Sequence, residues 1–471
     1  MSQATDQPKH RPGGVVELLG IALPMVISHA CETLMMFVDR LFLSSLGPEY
    51  MSASMGGGMT CFMFMTFFMG LIGYANPLVA QHLGAGQKRR CPVAVGQAFY
   101  IALLAYPLIL ACIPLGLWLF RVSGTPAAQL PHQTVYFKIL VAGSVLALAR
   151  NCFSSFFSGI GRTRVIMRSA MVAMVVNVVA NYVLIFGHLG MPAMGMAGAA
   201  YGTVLGSAAS LLVLVVAYFR RENEKEFGIL AGFRFDGPMM RKLLRLGSPS
   251  GLEFFLNMLA FDLLLLNFHS YGVAVAAAVT ITFSWDMVSF VPLIGVNIGV
   301  SSLVGRYMGA RDPDTAHRAT MSGLRLALGY AVVMLVIFGG FAEPLVRMFQ
   351  NKGEAAQMAE TLPLAIFMIR LMAFYVCADA VSLVFSGALR GAGDTFWTMC
   401  LSVATHWTMS LITIWLIRVV HISPRLAWSL FILFVWLISG VFYLRYRSGR
   451  WREMKVVDEP VPVPIPSAAV D

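Results

Sequence analysis

The sequence predicts an all-α membrane protein: twelve transmembrane helices in two six-helix lobes related by a parallel internal repeat. Three observations predict it. Only 12% of the 471 residues are charged and 58% are hydrophobic, whereas a soluble chain carries roughly a quarter charged. Apolar stretches of twenty or more residues recur along the chain, each bounded by charged or Gly/Pro clusters, and each can cross a ~30 Å hydrocarbon layer. These stretches are continuous rather than alternating, which excludes a β-barrel. Finally, three marks return at nearly one spacing. LVAQHLGAGQ (78–87) reappears as LVGRYMGARD (303–312), FSGIGRT (157–163) as FSGALRGAGDT (385–395), and LGIALP (19–24) as LGSPSG (246–251). Each half then holds six spans with the same orientation, and two like halves place a shared cavity between them.

The spans are expected at 15–46, 51–83, 92–120, 133–157, 165–187, 195–219, 243–270, 274–305, 316–342, 359–388, 396–419 and 426–446. Pro24, Pro77, Pro114, Pro249 and Pro292 are candidate kinks. The division that follows is a polar cytoplasmic tail at 1–12, a first lobe at 13–219, a cytoplasmic central loop at 220–242, a second lobe at 243–448 and a cytoplasmic disordered tail at 449–471. The last residues, PVPVPIPSAAVD, read as disordered polyproline. The first apolar run is too long for a cleaved signal and lacks a small-residue cleavage site.

The formal net charge of +11 could suggest nucleic acid, but its distribution argues otherwise. Most lysines and arginines fall in short loops on one side: QKRR (87–90), RTRVIMR (162–168), the stretch from Arg220 to Arg245, GRYMGARDPDTAHR (305–318) and RYRSGRWREMK (445–455). Loops of the other side, such as GHLGMPAMGMAG (187–198), are nearly uncharged. This is the positive-inside pattern, and it places both termini in the cytoplasm of a multi-pass inner (plasma) membrane protein. Seven cysteines without a CxxC pair and nine histidines without HExxH spacing give no metal or disulfide signature.

Carboxylates inside the spans carry the chemistry, because each costs at least ~2.5–3.5 kcal/mol to insert. The stretch from Ala373 to Thr395 runs as an apolar helix with one acid, Asp379, ending in a glycine-rich basic turn at Arg390. At 1.5 Å per residue, Asp379 lies roughly 16 Å before Arg390, near the midplane if Arg390 marks the membrane edge. In the first half, Glu32 and Asp39 are seven residues apart on nearly one helix face. Asn177 and Asn181 form an i,i+4 pair, and Thr203 follows in the next span. An acid with amides and a hydroxyl suits a hard cation or a carried proton; the bland alternative is a buried polar network that fixes helix packing. In the second half Glu253 and Asn257 share a face, Asp262 points roughly opposite, and Asp286 lies in the eighth span. Acids facing one cavity would repel each other and invite a cation. Thirty methionines and thirty-three phenylalanines offer adaptable surface for apolar cations, though each one is more often core or lipid-facing. There is no GxxxxGK[ST] loop to cradle ATP, so energy would come from an ion gradient.

The stretches FVDRLFLSSLG (37–47), NPLVAQHLGAGQ (76–87), VVNVVANYVLIFG (175–187), GMAGAAYGTV (195–204) and DAVSLVFSGALRGAGDT (379–395) occur in this order. Over nearly its whole length the chain resembles the multidrug and toxic compound extrusion (MATE) family. The resemblance implies two six-helix lobes that open alternately to each side, exporting organic, often cationic compounds in exchange for Na+ or H+. It also implies that Asp39 is the first-span acid, Asn177 and Asn181 the fifth-span polar pair, and Asp379 the tenth-span acid. Two departures stand out. Asn257 occupies a position where one branch carries a glutamate, and Arg40 replaces a small polar residue.

The expectation is therefore a secondary antiporter, not an enzyme. Its coupling residues would be Asp39, Asp379, Asn177, Asn181, Glu253 and Asn257, with Glu32, Thr203, Asp262 and Asp286 as further cavity residues. Its partners would be small-molecule substrates and the bilayer, with no nucleic acid; a monomer is expected, with no cofactor beyond Na+ as a possible coupling ion. A lipid-linked saccharide flippase would need a cavity rich in arginine to hold pyrophosphate, and Arg325 is the one mid-span candidate read here. An intramembrane enzyme would need paired DxxxD or HxxxH signatures, which the sequence lacks.

Overall fold

Gly14 and Gly47 open the first two helices, α1 (Val15–Ser44) and α2 (Pro48–Gly73), of an all-helical fold. The computed structural model describes residues 11–349 and 355–457. The first half continues with α3 (Ala75–Gly84), α4 (Cys91–Ala111), α5 (Ile113–Val122), α6 (Leu130–Gly159), α7 (Arg164–Phe186) and α8 (Met196–Tyr218), then a short connecting α9 (Arg221–Phe227). The second half holds α10 (Gly237–His269), α11 (Val273–Gly309), α12 (Pro313–Gly340), α13 (Ala342–Arg347), α14 (Ala355–Ala392), α15 (Thr395–Arg418) and α16 (Pro424–Arg447). Among the described residues, twelve spans are long and apolar enough to cross a membrane, with α2 and α3 making one of them. The protein is a multi-pass membrane protein.

Local chemistry sets the helix ends. Asp236 accepts from the backbone N–H of Met239 at 2.9 Å, and Pro238 supplies a preformed first turn. Capped there, α10 begins six residues before the expected 243, inside the stretch read as a loop. The rest of that stretch folds as α9 and a 3-10 turn (Ile229–Phe233). Asp312 likewise caps α12 through Thr315 at 2.9 Å. The break at Tyr74 between α2 and α3 lies just ahead of Pro77, whose ring crowds the preceding turn and which has no N–H to offer it. The break at Cys112 precedes Pro114 in the same way. Pro107 and Pro363 also lie inside helices, a signal the sequence reading passed over.

The segment read as a disordered tail from 449 is ordered through Val457. Trp451 is buried, stacks on Tyr446 with centroids 4.9 Å apart, and donates its indole N–H to the Tyr446 carbonyl at 3.0 Å. The polyproline stretch and residues 1–10 lie outside the described residues.

Each half builds its own apolar core. The second-half core also takes in Leu18, Ile21 and Ala22 of α1. The two halves meet along a seam at the charged face. Asn76 accepts from Ser302 at 3.0 Å, Gln81 donates to the Gly391 carbonyl at 2.7 Å, and Tyr307 donates to Glu17 at 2.8 Å. The seam obeys the repeat. A Cβ on Gly84 would lie 1.8 Å from the Arg306 carbonyl oxygen, and one on Gly309 would lie 2.0 Å from that of Gln81. Gly84 and Gly309, like Gln81 and Arg306, hold matching places in LVAQHLG and LVGRYMG. The ends of α3 and α11 therefore cross backbone against backbone, and only glycine permits that approach. Across the same face Glu226 of α9 receives Lys88 at 2.9 Å and Arg162 at 2.7 Å, which hold its carboxyl below the usual range.

Candidate ion-coupling sites

The first-lobe acid sits where three helices converge. Asp39 lies in the last turns of α1 and is 7% exposed, and Asn177 and Asn181 on α7 are fully buried. Asn181 donates its amide N–H to Oδ1 of Asp39 and reaches Oδ1 of Asn177 at 3.3 Å. Thr203 of α8 donates to Oδ2 of Asp39 at 3.4 Å. Small residues on α8 make this possible. A Cβ on Gly202 would fall 1.9 Å from Oδ1 of Asn181, and one on Gly206 3.0 Å from Asn177 Cβ. Oδ1 of Asn181 is buried without a hydrogen-bond partner, an oxygen that a cation at Asp39 could recruit. The acid, both amides and the hydroxyl expected from the sequence thus come together.

Glu32 does not join them. One helix face is shared over seven residues, but Glu32 turns to α6, where Arg150 donates to it at 2.5 Å, and to His29 at 3.2 Å. Its charge is met by a fixed cation, an arrangement opposite in sign to a cation trap. Arg150, 118 residues away in the chain, carried no local signal. A second intramembrane arginine also corrects the reading of Arg325 as the one mid-span candidate. Arg325 itself is exposed.

In the second lobe Asp379 of α14 and Asp286 of α11 are both half-buried and close enough to feel each other's charge. Tyr375, one turn before Asp379, faces both. Ser289 donates to Oδ1 of Asp286 at 3.3 Å, and Ser382 donates to the main-chain carbonyl of Asp379 at 3.4 Å. Two neighbouring carboxylates with no cation bonded to either among the described residues form a site where one positive charge is strongly favoured.

Glu253 lies elsewhere. It is 2% exposed and receives Arg390 at 2.7 Å, so the arginine read as a membrane-edge marker is its counter-ion. A carboxylate already neutralised by a fixed guanidinium differs from Asp39 and from the Asp286–Asp379 pair, and Glu253 does not join either of them. Asn257 donates to Ser402 at 2.8 Å and has no contact with the Asp286–Asp379 pair among those described. Asp262 is half-buried on α10.

The MatE family model matches residues 24–183 and 249–416, once in each half. The chain is similar to the Probable multidrug resistance protein NorM of Bradyrhizobium diazoefficiens: 27% identical over 442 residues, covering 93% of this chain and 94% of that one. To the Multidrug resistance protein NorM of Aliivibrio fischeri it is 25% identical over 401 residues, 84% of this chain and 85% of that one. Among solved structures, one described as the outward-facing conformation of a multidrug resistance MATE family transporter of the MOP superfamily superposes with a TM-score of 0.83. It is 20% identical and covers 94% of this chain and 98% of that one. A MOP superfamily transporter from Pyrococcus furiosus superposes at 0.84 with 20% identity, covering 95% of this chain and all of the other. These likenesses carry the fold.

Proposed function

The chain belongs to the MatE family, membrane transporters rather than enzymes, and from that premise we propose that it is a secondary antiporter. It exports small amphipathic, often cationic compounds in exchange for Na+ or H+. Its relatives are named for multidrug resistance, and its apolar, methionine-rich composition supplies adaptable surface. The observation that carries the coupling is the nest at Asp39, a buried carboxylate that accepts from the Asn181 amide and the Thr203 hydroxyl, with Asn177 behind Asn181 and no fixed cation bonded to it among the described residues.

With the lobes sealed at the charged face, Asp39 and the Asp286–Asp379 pair are reached from the opposite side. Under the positive-inside rule that side is extracellular or periplasmic, so both termini stand in the cytoplasm of the plasma membrane. A cation entering from there neutralises carboxylates that repel one another and that hold a cationic compound. Binding of the ion therefore competes with the exported cation, and release of one is linked to capture of the other. Separating the seam at α3 and α11 exposes the same sites to the other side.

The flippase reading is less well supported, because Arg150 is occupied by Glu32. Proteoliposomes loaded with an organic-cation dye, under an imposed Na+ or H+ gradient one at a time, test the proposal. Export driven by one gradient and abolished by its collapse is expected. Dye movement indifferent to both gradients would discard the antiporter.

A further inference from the structure

Two basic cavities open at the charged face, one in each lobe and at matching places in the repeat. The first, about 550 Å³, lies between the start of α1 and the α6–α7 turn, lined by Ile21, Gly161, Arg164, Val165, Arg168 and Arg306. The second, about 640 Å³, lies between the start of α10 and the α14–α15 turn, lined by Arg241, Lys242, Arg245, Leu246, Gly393 and Lys455. α1 and α10 are the first helices of their lobes. Gly161 and Gly393 stand in the matching turns FSGIGRT and FSGALRGAGDT, and both have positive φ, 77° and 106°. Divergence of the two halves has replaced the basic residues but kept a basic cavity in each. In the first the arginines come from the fifth span, in the second from the seventh.

In the first cavity the other cations are engaged: Arg162 by Glu226 and Asn223, Arg306 by Glu17 and the Ile160 carbonyl. Arg164 and Arg168 have no ion pair or hydrogen bond among the described residues. One turn apart, they present two guanidinia on one helix face. Arg241 and Arg245 repeat that geometry in the second cavity and are likewise exposed and unpaired among the described residues. Among the described residues no carboxylate lines the second cavity, and Glu17, already held by Tyr307 and Arg306, is the one that lines the first. Each cavity is amphipathic, with aliphatic wall from Ile21 and Val165 in one and from Leu246 and Val456 in the other. Guanidinia at the ends of membrane spans, above aliphatic surface, match a phosphate headgroup with its chains running into the bilayer.

We infer that each cavity seats the phosphate of an anionic phospholipid headgroup, one lipid per lobe. The aliphatic walls favour a lipid over free phosphate, which would have no use for them. The first site also spans the seam, because Arg306 comes from the second lobe and the other lining residues from the first. Its lipid should hold the charged face closed.

Native mass spectrometry of the full chain, titrated with phosphatidylglycerol, phosphatidylcholine or inorganic phosphate, tests this. Two phosphatidylglycerol molecules should be retained, with about a thirtyfold preference over phosphatidylcholine, as two arginines at a membrane surface supply. Arg164→Ala with Arg168→Ala should remove one, and Arg241→Ala with Arg245→Ala the other. Lysine at the same four positions should keep both, which separates lost charge from misfolding, and unchanged gel-filtration elution of each variant checks the fold. Equal retention of the two lipids, an unchanged count in both alanine pairs, or displacement of the lipid by inorganic phosphate would overturn the inference.

Discussion

Two single carboxylates with opposite surroundings separate coupling from scaffolding. Asp379 lies beside a second acid with no cation bonded to it among the described residues, and Asp379→Asn keeps its shape and removes the charge. Folded, membrane-inserted protein is expected, with dye efflux per unit of membrane protein reduced at least about tenfold and less dependent on the ion gradient. Full, gradient-dependent efflux in that variant would move the role to Asp39. Glu253 meets Arg390, and Glu253→Gln strands a guanidinium in apolar surroundings. A loss of about 2 kcal/mol is expected, below the value for a wholly buried pair because Arg390 is one-third exposed. The unfolding temperature in detergent should fall by a few degrees, and Glu253→Gln with Arg390→Gln should regain part of that fall. These roles were half legible in the sequence. An acid in a span announces itself by its cost, and the i,i+4 amides announce a shared face. Whether the acid meets Arg150, Arg390 or another acid depends on contacts between helices far apart in the chain, which no periodicity encodes.

Helix pairs carry the next layer, and α7 against α8 shows how. Gly202 lets α8 press on Asn181 so closely that the amide can reach Asp39. Gly202→Ala adds one methyl group where Oδ1 of Asn181 now sits. Asn181 is fully buried and must rotate away, so the Asp39 contact is lost while both helices persist. Efflux should drop several-fold with little change in unfolding temperature, a split that transport and melting measurements on one preparation resolve. Twelve spans and most of their edges were legible to within a few residues, because apolar runs and prolines act locally, but the span expected at 92–120 ends at Ala111, ahead of the separate α5. The other exceptions came from a polar cap and a ring contact, which hydropathy does not register. α10 started early on the Asp236 cap, and the stretch after 449 was ordered by Trp451 docking on Tyr446.

For the whole molecule, the charge asymmetry of the loops makes a geometric claim. Lys88 and Gly190 should label from opposite faces of the membrane when each is replaced by cysteine, with residue 88 on the side of the central segment. Labelling of both from one side would contradict twelve spans. The repeat was legible from three short marks, but not what it builds: the matching glycines Gly84 and Gly309 gain meaning only where α3 and α11 cross.

That crossing bears on electrical tightness. A gate closed by side chains can flicker, since a rotamer hop opens a gap wide enough for a water file. Where α3 and α11 touch through main-chain atoms over two glycines, there is no rotamer to hop at the point of contact. The antiporter proposed above, driven by an ion gradient, gains from such a plug, because each leaked ion dissipates the driving force. Planar bilayers holding the purified protein without substrate should show conductance indistinguishable from bare lipid. Gly84→Ser, which wedges a hydroxymethyl group into the contact, should raise it.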